Sequence, residues 1–208
     1  MGASESRLAA GVARLGIELA PAQLEALAML AAELVDWNTR VNLTSITAQD
    51  EVVDKHLLDS LAVLPLLKGA AVADVGSGAG FPGLPLAIAD PNRRYALIES
   101  TGKKVKFIRH AVEKLALPNV DVVLGRAESW RPSRPFDSVV ARALGSLAEF
   151  VRVAGHLAGR GGRLFAMKGK VPEAELKALP PGWQALAVHP VAVPGLDAER
   201  CVVELARV

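Results

Sequence analysis

A glycine-rich segment between two apolar runs constrains the fold of this chain more than any other feature. It reads VADVGSGAGFPGLPLAIA from Val72 to Ala89, and four glycines fall within eight of its residues: Gly76, Gly78, Gly80 and Gly83. Glycine lets the backbone approach a bound molecule closely, and a helix that begins after such a loop directs its first N–H groups toward that molecule. A strand, this loop and a helix beginning at Pro82 are therefore predicted to form the cofactor-binding unit of an α/β sheet.

Short apolar runs alternate with helix-period segments after Gly69. Five of these runs are predicted to be strands: AVADV, RYALIE, VDVVLG, FDSVVAR and GRLFAMK. Alternation of this kind predicts a parallel sheet with helices on both faces. The last two runs, WQALAVHPVAV and RCVVELARV, have only a short connection between them, which predicts an antiparallel pair that closes the sheet.

The residues before the sheet have a helical pattern. Pro21 fits the first turn of a helix in which leucines recur at three- and four-residue steps and which ends near Asn38. A further helix is predicted to start after Thr47, with Asp50 in a capping-box position. The sequence thus predicts a helical N-terminal extension, residues 1–68, and an α/β core, residues 69–208, in one compact unit.

Composition narrows the class of protein. The 208 residues are 51% hydrophobic, enough for one substantial core, and the net charge of +2 is compatible with a nucleic-acid partner without requiring one. Cys201 is the only cysteine, which excludes an intrachain disulfide and a cysteine-rich metal site. No apolar stretch approaches the length of a membrane span. We therefore expect a cytoplasmic protein with no metal site.

The glycine loop is compatible with two kinds of cofactor. Gly78-Ala-Gly-Phe-Pro-Gly83 matches the G-x-G-x-x-G pattern of NAD and FAD sites. Asp74, however, stands before the glycines, where methyltransferase loops carry an acid that organises the turn and the amino-acid end of S-adenosylmethionine. The predicted strand order matches the seven-stranded methyltransferase sheet, and roughly 140 residues are few for a dinucleotide domain plus a substrate domain. These points favour S-adenosylmethionine over NAD or FAD.

Further candidate residues follow the other predicted strands. Glu99 ends the second strand, 19 residues after Gly80, where a carboxylate can accept hydrogen bonds from both ribose hydroxyls of an adenosine cofactor. Ala127 and Glu128 follow the third strand, where they can reach an adenine edge. Arg142 ends the fourth strand, and taken alone it is either a functional residue, a surface residue or part of a structural ion pair.

Several longer segments resemble one known family. They are Asn38-Thr-Arg-Val-Asn-Leu-Thr44, His56-Leu-Leu-Asp-Ser-Leu61, Asp74-Val-Gly-Ser-Gly-Ala-Gly-Phe-Pro-Gly-Leu-Pro85, Arg126-Ala-Glu128, Ala141-Arg-Ala143 and Lys168-Gly169. From about residue 20 to its end, the chain is similar to the bacterial small-subunit ribosomal RNA guanine-N7 methyltransferases, the glucose-inhibited division protein B family. The first 20 residues match nothing specific.

This resemblance implies a Rossmann-like, seven-stranded S-adenosylmethionine-dependent methyltransferase sheet with a helical N-terminal extension. It implies as substrate one guanine in a decoding-region loop of small-subunit (16S) rRNA. The cofactor contacts that it implies are Gly76, Phe81, Ala127, Glu128 and Arg142. Asp74, Gly78 and Glu99 are further candidate cofactor contacts because of their positions in and around the glycine loop.

The chemistry of guanine N7 decides what further residues are needed. N7 carries a free in-plane lone pair, so it attacks a sulfonium methyl without first losing a proton, and no general base is required. Catalysis then consists mainly of positioning. Arg142 is the best candidate to hold O6 or a neighbouring phosphate, and Lys168 at the end of the fifth strand is second.

Two polar regions are candidates for RNA contact. The helix after Glu99 carries basic residues that are either a solvated face or a phosphate-binding face, namely Lys103, Lys104, Lys106 and Arg109. Arg40 and Asn42 belong to a polar loop that would border the same cleft. His56 and Asp59, three residues apart, are expected to form a structural pair that braces this loop.

Other functions remain open at this point. An NAD-dependent oxidoreductase and a small-molecule methyltransferase are the enzymatic alternatives, and a catalytically silent rRNA-binding factor is a third. The substrate is expected to be either naked small-subunit rRNA or the assembled small subunit. Nothing in the sequence requires more than a monomer.

Overall fold

A mixed sheet of seven strands forms the centre of the computed structural model, which describes residues 3–208. The strands are β1 (Ala71–Val75), β2 (Arg94–Glu99), β3 (Val120–Leu124), β4 (Phe136–Arg142), β5 (Ala158–Lys168), β6 (Trp183–Pro190) and β7 (Cys201–Arg207). Their order in space is β3-β2-β1-β4-β5-β7-β6. β1 to β5 pair in parallel, whereas β7 is antiparallel to both β5 and β6. The predicted Rossmann-like methyltransferase sheet is thus confirmed.

Helices cover both faces of this sheet. They are α1 (Ala3–Arg14), α2 (Pro21–Asn38), α3 (Gln49–Val52), α4 (Asp59–Leu61), α5 (Gly83–Ala89), α6 (Gly102–Lys114), α7 (Leu147–Ala154) and α8 (Glu173–Lys177). One face is covered by α5 and α6; α2 and α4 pack on these helices, and α1 and α3 pack on α2. The other face is covered by α7. None of the helices in residues 3–208 is both long and apolar enough to cross a membrane.

The leucine spacing of α2 explains how the N-terminal helices attach to the core. Leu27, Leu30 and Leu34 lie on one side of the helix and are fully buried. Next to this stripe, the ring of Trp37 packs edge-on against Phe107 of α6, with ring centroids 5.6 Å apart. Burial of apolar surface therefore holds the extension to the sheet's helices.

The segment after Thr47 differs from its prediction. The helix begins at Gln49, and the residue before it is Ala48, whose side chain has no oxygen to cap the first N–H groups, so the predicted capping box is wrong. Between α3 and α4 the backbone winds as a π-helix over Val53–Leu58. Single π-helical turns inside α-helices often lie at functional sites, and this one carries His56 toward the end of β4.

Close packing at the start of α5 predicts a strong effect of one methyl group. A Cβ added to Gly83 would lie 2.7 Å from Asp74 Oδ2 and 2.7 Å from Leu97 Cγ. We therefore expect Gly83→Ala to lower the free energy of unfolding by about 1–3 kcal/mol in urea titrations, because α5 must move away from the sheet. Gly102→Ala is the control, since its Cβ would meet no atom within 4 Å. Equal losses in both variants would contradict this packing argument.

Candidate active site at the carboxyl edge of the sheet

The glycine loop after β1 is held by hydrogen bonds at both ends. The N–H groups of Gly76 and Ser77 donate to the carbonyl of Ile98 on β2, at 2.9 and 3.1 Å. The carboxylate of Asp74, which is fully buried, accepts a hydrogen bond from the N–H of Gly83 at 2.8 Å. Asp74 thus joins the end of β1 to the first turn of α5.

Glu99, at the end of β2, ties this loop to the next helix. Its Oε2 accepts a hydrogen bond from Gly78 N–H at 2.9 Å, and its Oε1 accepts one from Thr101 N–H at 2.7 Å. The side chain is buried. A carboxylate oxygen has two lone pairs, so each oxygen can accept one more donor. The contact of Glu99 with the ribose stays a prediction, and its place beside the glycine loop fits that contact.

The loop has polar atoms that a ligand would satisfy. Asp74 Oδ1 and Ser77 Oγ are buried and have no hydrogen-bond partner among the described residues. Buried polar groups without a partner are uncommon in native proteins. Gly78 has a φ of +61°, and a Cβ added there would meet no atom within 4 Å, so the backbone is open on this side. These features fit a polar ligand that lies against the loop.

Burial changes the protonation of Asp74. It raises the pKa of this carboxyl to about 7, because a charged group is poorly solvated there; Gly83 N–H and the cationic Arg142 oppose this effect only partly. An additional cation near Asp74 Oδ1 would favour the carboxylate form. The α-ammonium group of an amino-acid ligand is such a cation.

One cleft of about 210 Å³ lies beside the glycine loop. It is lined by residues from the ends of β1, β2, β3 and β4, including Gly76, Ser100, Gly125, Ala127, Glu128 and Leu144. Ala127 is buried, whereas Glu128 is partly exposed and lies 3.6 Å from the guanidinium of Arg126. The structure therefore brings Gly76, Ala127 and Glu128 together, as expected from the sequence.

A second, larger cavity of about 560 Å³ lies on the other side of the turn that follows β4. The polar residues that line it include Thr44, His56, Asp59, Arg142, Lys168 and Arg200. Ala143 lines this cavity and Leu144 lines the first cleft, so the turn separates the two. Ala143 has a φ of +58°, a backbone conformation that non-glycine residues rarely adopt and that is found at functional sites.

Arg142 is held by the N-terminal extension. Its Nη1 donates to the carbonyl of Lys55 at 2.9 Å and to Asp59 Oδ2 at 3.2 Å, and its Nη2 donates to His56 Nδ1 at 3.0 Å. The guanidinium carbon also lies 5.6 Å from the ring centroid of Phe81 in the glycine loop. One side chain thus contacts both the extension and the predicted cofactor loop.

His56 connects the same elements from the other side. Its ring stacks on Phe81, with centroids 4.8 Å apart and an interplanar angle of 22°, and its Nε2 lies 3.1 Å from Thr44 Oγ1. Burial, together with the nearby charges of Arg142 and Lys55, lowers the pKa of His56 to about 3, so the ring is neutral near pH 7. His56 does brace the polar loop, but Arg142, rather than a direct bond, links it to Asp59.

Lys168 lines the larger cavity, yet its ammonium is already paired. Nζ donates to the carbonyl of Gly145 at 2.7 Å and to Glu175 at 2.8 Å. Partial burial raises the pKa of Glu175, but Lys168 and the Leu147 N–H outweigh this, so that pKa lies below its ordinary value. Lys168 therefore holds the turn after β4 and α8, and its contact with a substrate oxygen stays a prediction.

Sequence reasoning missed Arg200. Its Nε donates to Asp59 Oδ1 at 3.0 Å, so Asp59 bridges two arginines. The residues of this pair are 141 positions apart, and Arg200 lies at the end of the connection between β6 and β7. Nothing in the local sequence distinguishes it from a surface arginine.

The residues predicted to contact RNA lie outside both cavities. Arg40 forms an ion pair with Asp36 one turn earlier and lies over the ring of Trp37, and Asn42 is exposed. On α6, which begins beside the smaller cleft, three basic residues are exposed and one is partly exposed: Lys103, Lys106 and Arg109, and Lys104. None of these side chains lines either cavity, and their contact with RNA stays a prediction.

The raised pKa of Asp74 predicts a specific dependence of stability on pH. The folded chain keeps a proton on Asp74 up to about pH 7, whereas the unfolded chain releases it near pH 3.8, so this group's contribution to the free energy of unfolding falls as pH rises between these values. We expect Asp74→Asn to gain stability relative to the unsubstituted chain over this range, measured by urea unfolding at several pH values. A difference that does not change with pH would contradict the assignment.

Comparisons with known proteins agree with this geometry. Structures that share the fold include TrmN from Thermus thermophilus, 23% identical, with a TM-score of 0.58 over 87% of this chain and 52% of that one. A SAM dependent methyltransferase from Aquifex aeolicus is 20% identical, with a TM-score of 0.55 over 74% of this chain and 92% of that one. At these identities the likeness concerns the fold.

Sequence relatives are much closer. A protein of Azoarcus sp. (strain BH72) named ribosomal RNA small subunit methyltransferase G is 47% identical over 97% of this chain and 95% of its own length. One of the same name from Pseudomonas syringae pv. syringae is 43% identical over 96% of this chain and 94% of its own length. The GidB profile, described as rRNA small subunit methyltransferase G, matches residues 23–203. The chain therefore belongs to the GidB family of S-adenosylmethionine-dependent rRNA methyltransferases.

Proposed function

We propose that this enzyme transfers the methyl group of S-adenosylmethionine to N7 of one guanine in a decoding-region loop of 16S rRNA. The observation that carries the proposal is the pair of cavities on either side of the turn after β4. One adjoins the glycine loop, the other is lined by cationic side chains, and Arg142 contacts Phe81 of the loop while it lines the larger cavity. Membership of the GidB family supports an rRNA substrate.

S-adenosylmethionine, when bound, supplies an electrophilic methyl group on a sulfonium. The residues that we assign to its binding are Asp74, Gly76, Gly78, Phe81, Glu99, Ala127, Glu128 and Arg142. Three observations support five of these residues. Asp74 Oδ1 has no partner among the described residues, the backbone at Gly78 is open, and Gly76, Ala127 and Glu128 line the cleft.

Guanine N7 reacts through its own lone pair, so the protein has no proton to remove. His56 is consistent with this, since it is neutral and both of its ring nitrogens are engaged by Arg142 and Thr44. The protein's contribution is then to hold the base next to the methyl group in a site that excludes water. Positioning of this kind can lower a barrier by about 7 kcal/mol or more.

The larger cavity fits the base. Its volume of about 560 Å³ is within the range of small-ligand sites. Arg142 and Arg200 both line it, and arginine is a common partner of guanine O6 and of phosphate. The target guanine must leave its helix to enter, because A-form RNA hides its major-groove edge. We assign the holding of O6 or a neighbouring phosphate to Arg142, with Lys168 as a second candidate.

The remaining assignments follow from a substrate as large as rRNA, which extends beyond the two cavities. The basic residues of α6, with Arg40 and Asn42, are proposed to contact RNA around the cleft entrance. The extension, residues 1–68, and the core, residues 69–208, are proposed to work as one unit, because His56 and Asp59 hold Arg142. We further propose that the enzyme acts as a monomer and that it meets its rRNA or small-subunit substrate in the cytoplasm.

The decisive experiment is methyl transfer. The protein is incubated with S-adenosylmethionine carrying a tritiated methyl group and with either naked 16S rRNA or assembled small subunits. We expect label in at least one of the two substrates, recovered as N7-methylguanosine at a single position. Absence of label in both, or label on another atom, would overturn the proposal.

A variant of Arg142 tests the same proposal at residue level. Arg142→Ala is expected to lower kcat/KM for methyl transfer and the affinity for S-adenosylhomocysteine by about 10-fold or more, since a hydrogen bond from a charged group contributes about 1.5–3 kcal/mol. Arg160→Ala is the control, because Arg160 is exposed near the opposite edge of the sheet. The role of Arg142 is wrong if both quantities are unchanged.

The basic face of α6 is tested by salt dependence. Replacing Lys103, Lys106 and Arg109 by glutamine is expected to weaken rRNA binding and to reduce the slope of log K against log salt by about 1 per lost phosphate contact. The affinity for S-adenosylhomocysteine should not change. The control carries Lys68→Gln and Arg160→Gln, both exposed near the other edge of the sheet. An unchanged slope in the α6 variant would assign this face to solvent.

A further inference from the structure

The hydroxyl of Thr44 has an unusual hydrogen-bond environment. It lines the larger cavity and contacts two protein groups, the ring of His56 and the backbone N–H of Ile46. A threonine hydroxyl can ordinarily donate one hydrogen bond and accept two. Which of these capacities remains free for a ligand is decided by the two protein contacts.

The tautomer of His56 follows from Arg142. A guanidinium has only donors, so the Arg142 contact at 3.0 Å requires His56 Nδ1 to be the acceptor. Because the ring is neutral, its single hydrogen is then on Nε2. Nε2 lies 3.1 Å from Thr44 Oγ1 and must donate to it.

Both acceptor positions of Thr44 are therefore filled. Oγ1 accepts one hydrogen bond from His56 Nε2 and another from Ile46 N–H at 3.2 Å. Its own hydrogen has no acceptor among the contacts of residues 3–208. In this arrangement Thr44 can offer a cavity ligand a donor but no acceptor.

We propose that Thr44 is a specificity-determining residue that donates a hydrogen bond to O6 of the target guanine, and that His56 is the positioning residue that makes Thr44 a donor only. This inference rests on the proposed function. Guanine presents the acceptor O6 beside N7, whereas adenine presents an amino donor at the same place. A hydroxyl that cannot accept gives that amino group no partner at this position, and so disfavours adenine-like bases.

The arrangement also explains why the His-x-x-Asp segment lies against β4. His56 uses one ring nitrogen to orient Arg142 and the other to orient Thr44, while Asp59 holds Arg142 and Arg200. A single buried ring thus fixes the direction of polar hydrogens on two residues that line the cavity.

The test uses two substrates that differ at position 6 of the target base. Small-subunit rRNA is prepared by splinted ligation with guanine or with 2,6-diaminopurine at the methylated position. Diaminopurine keeps N7 and the 2-amino group but carries an amino group instead of O6; its N1 also lacks a hydrogen. For each enzyme variant, kcat/KM on the guanine substrate is divided by kcat/KM on the diaminopurine substrate. The difference at N1 affects this ratio equally in every variant, so a change in the ratio between variants reports the effect of the substituted residue at position 6.

Thr44→Val is expected to lower kcat/KM on the guanine substrate by about 10- to 100-fold and to leave the diaminopurine value within about twofold. Thr44→Ser, which keeps the hydroxyl, should keep both values. Binding of S-adenosylhomocysteine and the melting temperature of each variant establish that it is folded. Equal losses on both substrates, as a structural role or a phosphate contact would produce, or no loss on either, would overturn the proposal.

His56→Asn supplies a second, independent readout. Asparagine can place its amide oxygen near the position of Nδ1 and so still accept from Arg142. Its amide nitrogen then takes the place of the ring carbon Cδ2, too far from Thr44 to donate as Nε2 does. The oxygen of Thr44 can then accept a hydrogen bond from a ligand. The ratio of kcat/KM on guanine to kcat/KM on diaminopurine should fall by about 10-fold, mainly because kcat/KM on diaminopurine rises. An unchanged preference would overturn the role of His56. If the unsubstituted enzyme methylates neither RNA, the proposed function itself has failed, which the guanine substrate alone reveals.

Discussion

The hydrogen bonds of Arg142 are the interaction on which the rest of this structure depends. Arg142 is the last residue of β4. Its guanidinium donates to a carbonyl, a carboxylate and a ring nitrogen, all from the segment Lys55–Asp59 of the extension. A partly buried arginine needs several acceptors, because the loss of water around a charged group is costly unless it is paired. The π-helical turn over Val53–Leu58 includes two of these acceptors. The extension is thus part of the site rather than an attachment to it.

Side-chain hydrogen bonds hold the loops around the site in place, which suits a reaction whose rate depends on how the reactants are oriented. Asp74 and Glu99 use their carboxylates to hold the glycine loop against α5 and α6. On the other side, Lys168 and Glu175 hold the turn at Ala143, whose backbone conformation is unfavourable without such support. An enzyme that needs no general base gains most from walls that do not move, since its contribution is orientation.

The strands and the α2 helix were predicted correctly because each has a strong local pattern: apolar runs bounded by glycine or polar residues, and leucines at helical spacing. The capping box at Thr47 failed because the helix begins two residues later, after an alanine. The π-helical turn could not be predicted, because its apolar spacing is that of an α-helix and the partner of its buried His56 lies on β4, far away in sequence.

The sequence by itself determined the sheet, the glycine loop and the set of residues at the strand ends, because hydrophobic period and glycine placement are local properties of the chain. Tertiary structure alone decided how those residues are used. The sequence makes Lys168 a candidate substrate contact, and the fold pairs its ammonium with Gly145 and Glu175. Thr44 can only donate to a ligand because His56 fills one of its acceptor positions. Whether a polar group donates or accepts depends on the partner that the fold brings to it. Here those partners are 12 to 141 residues apart in the sequence.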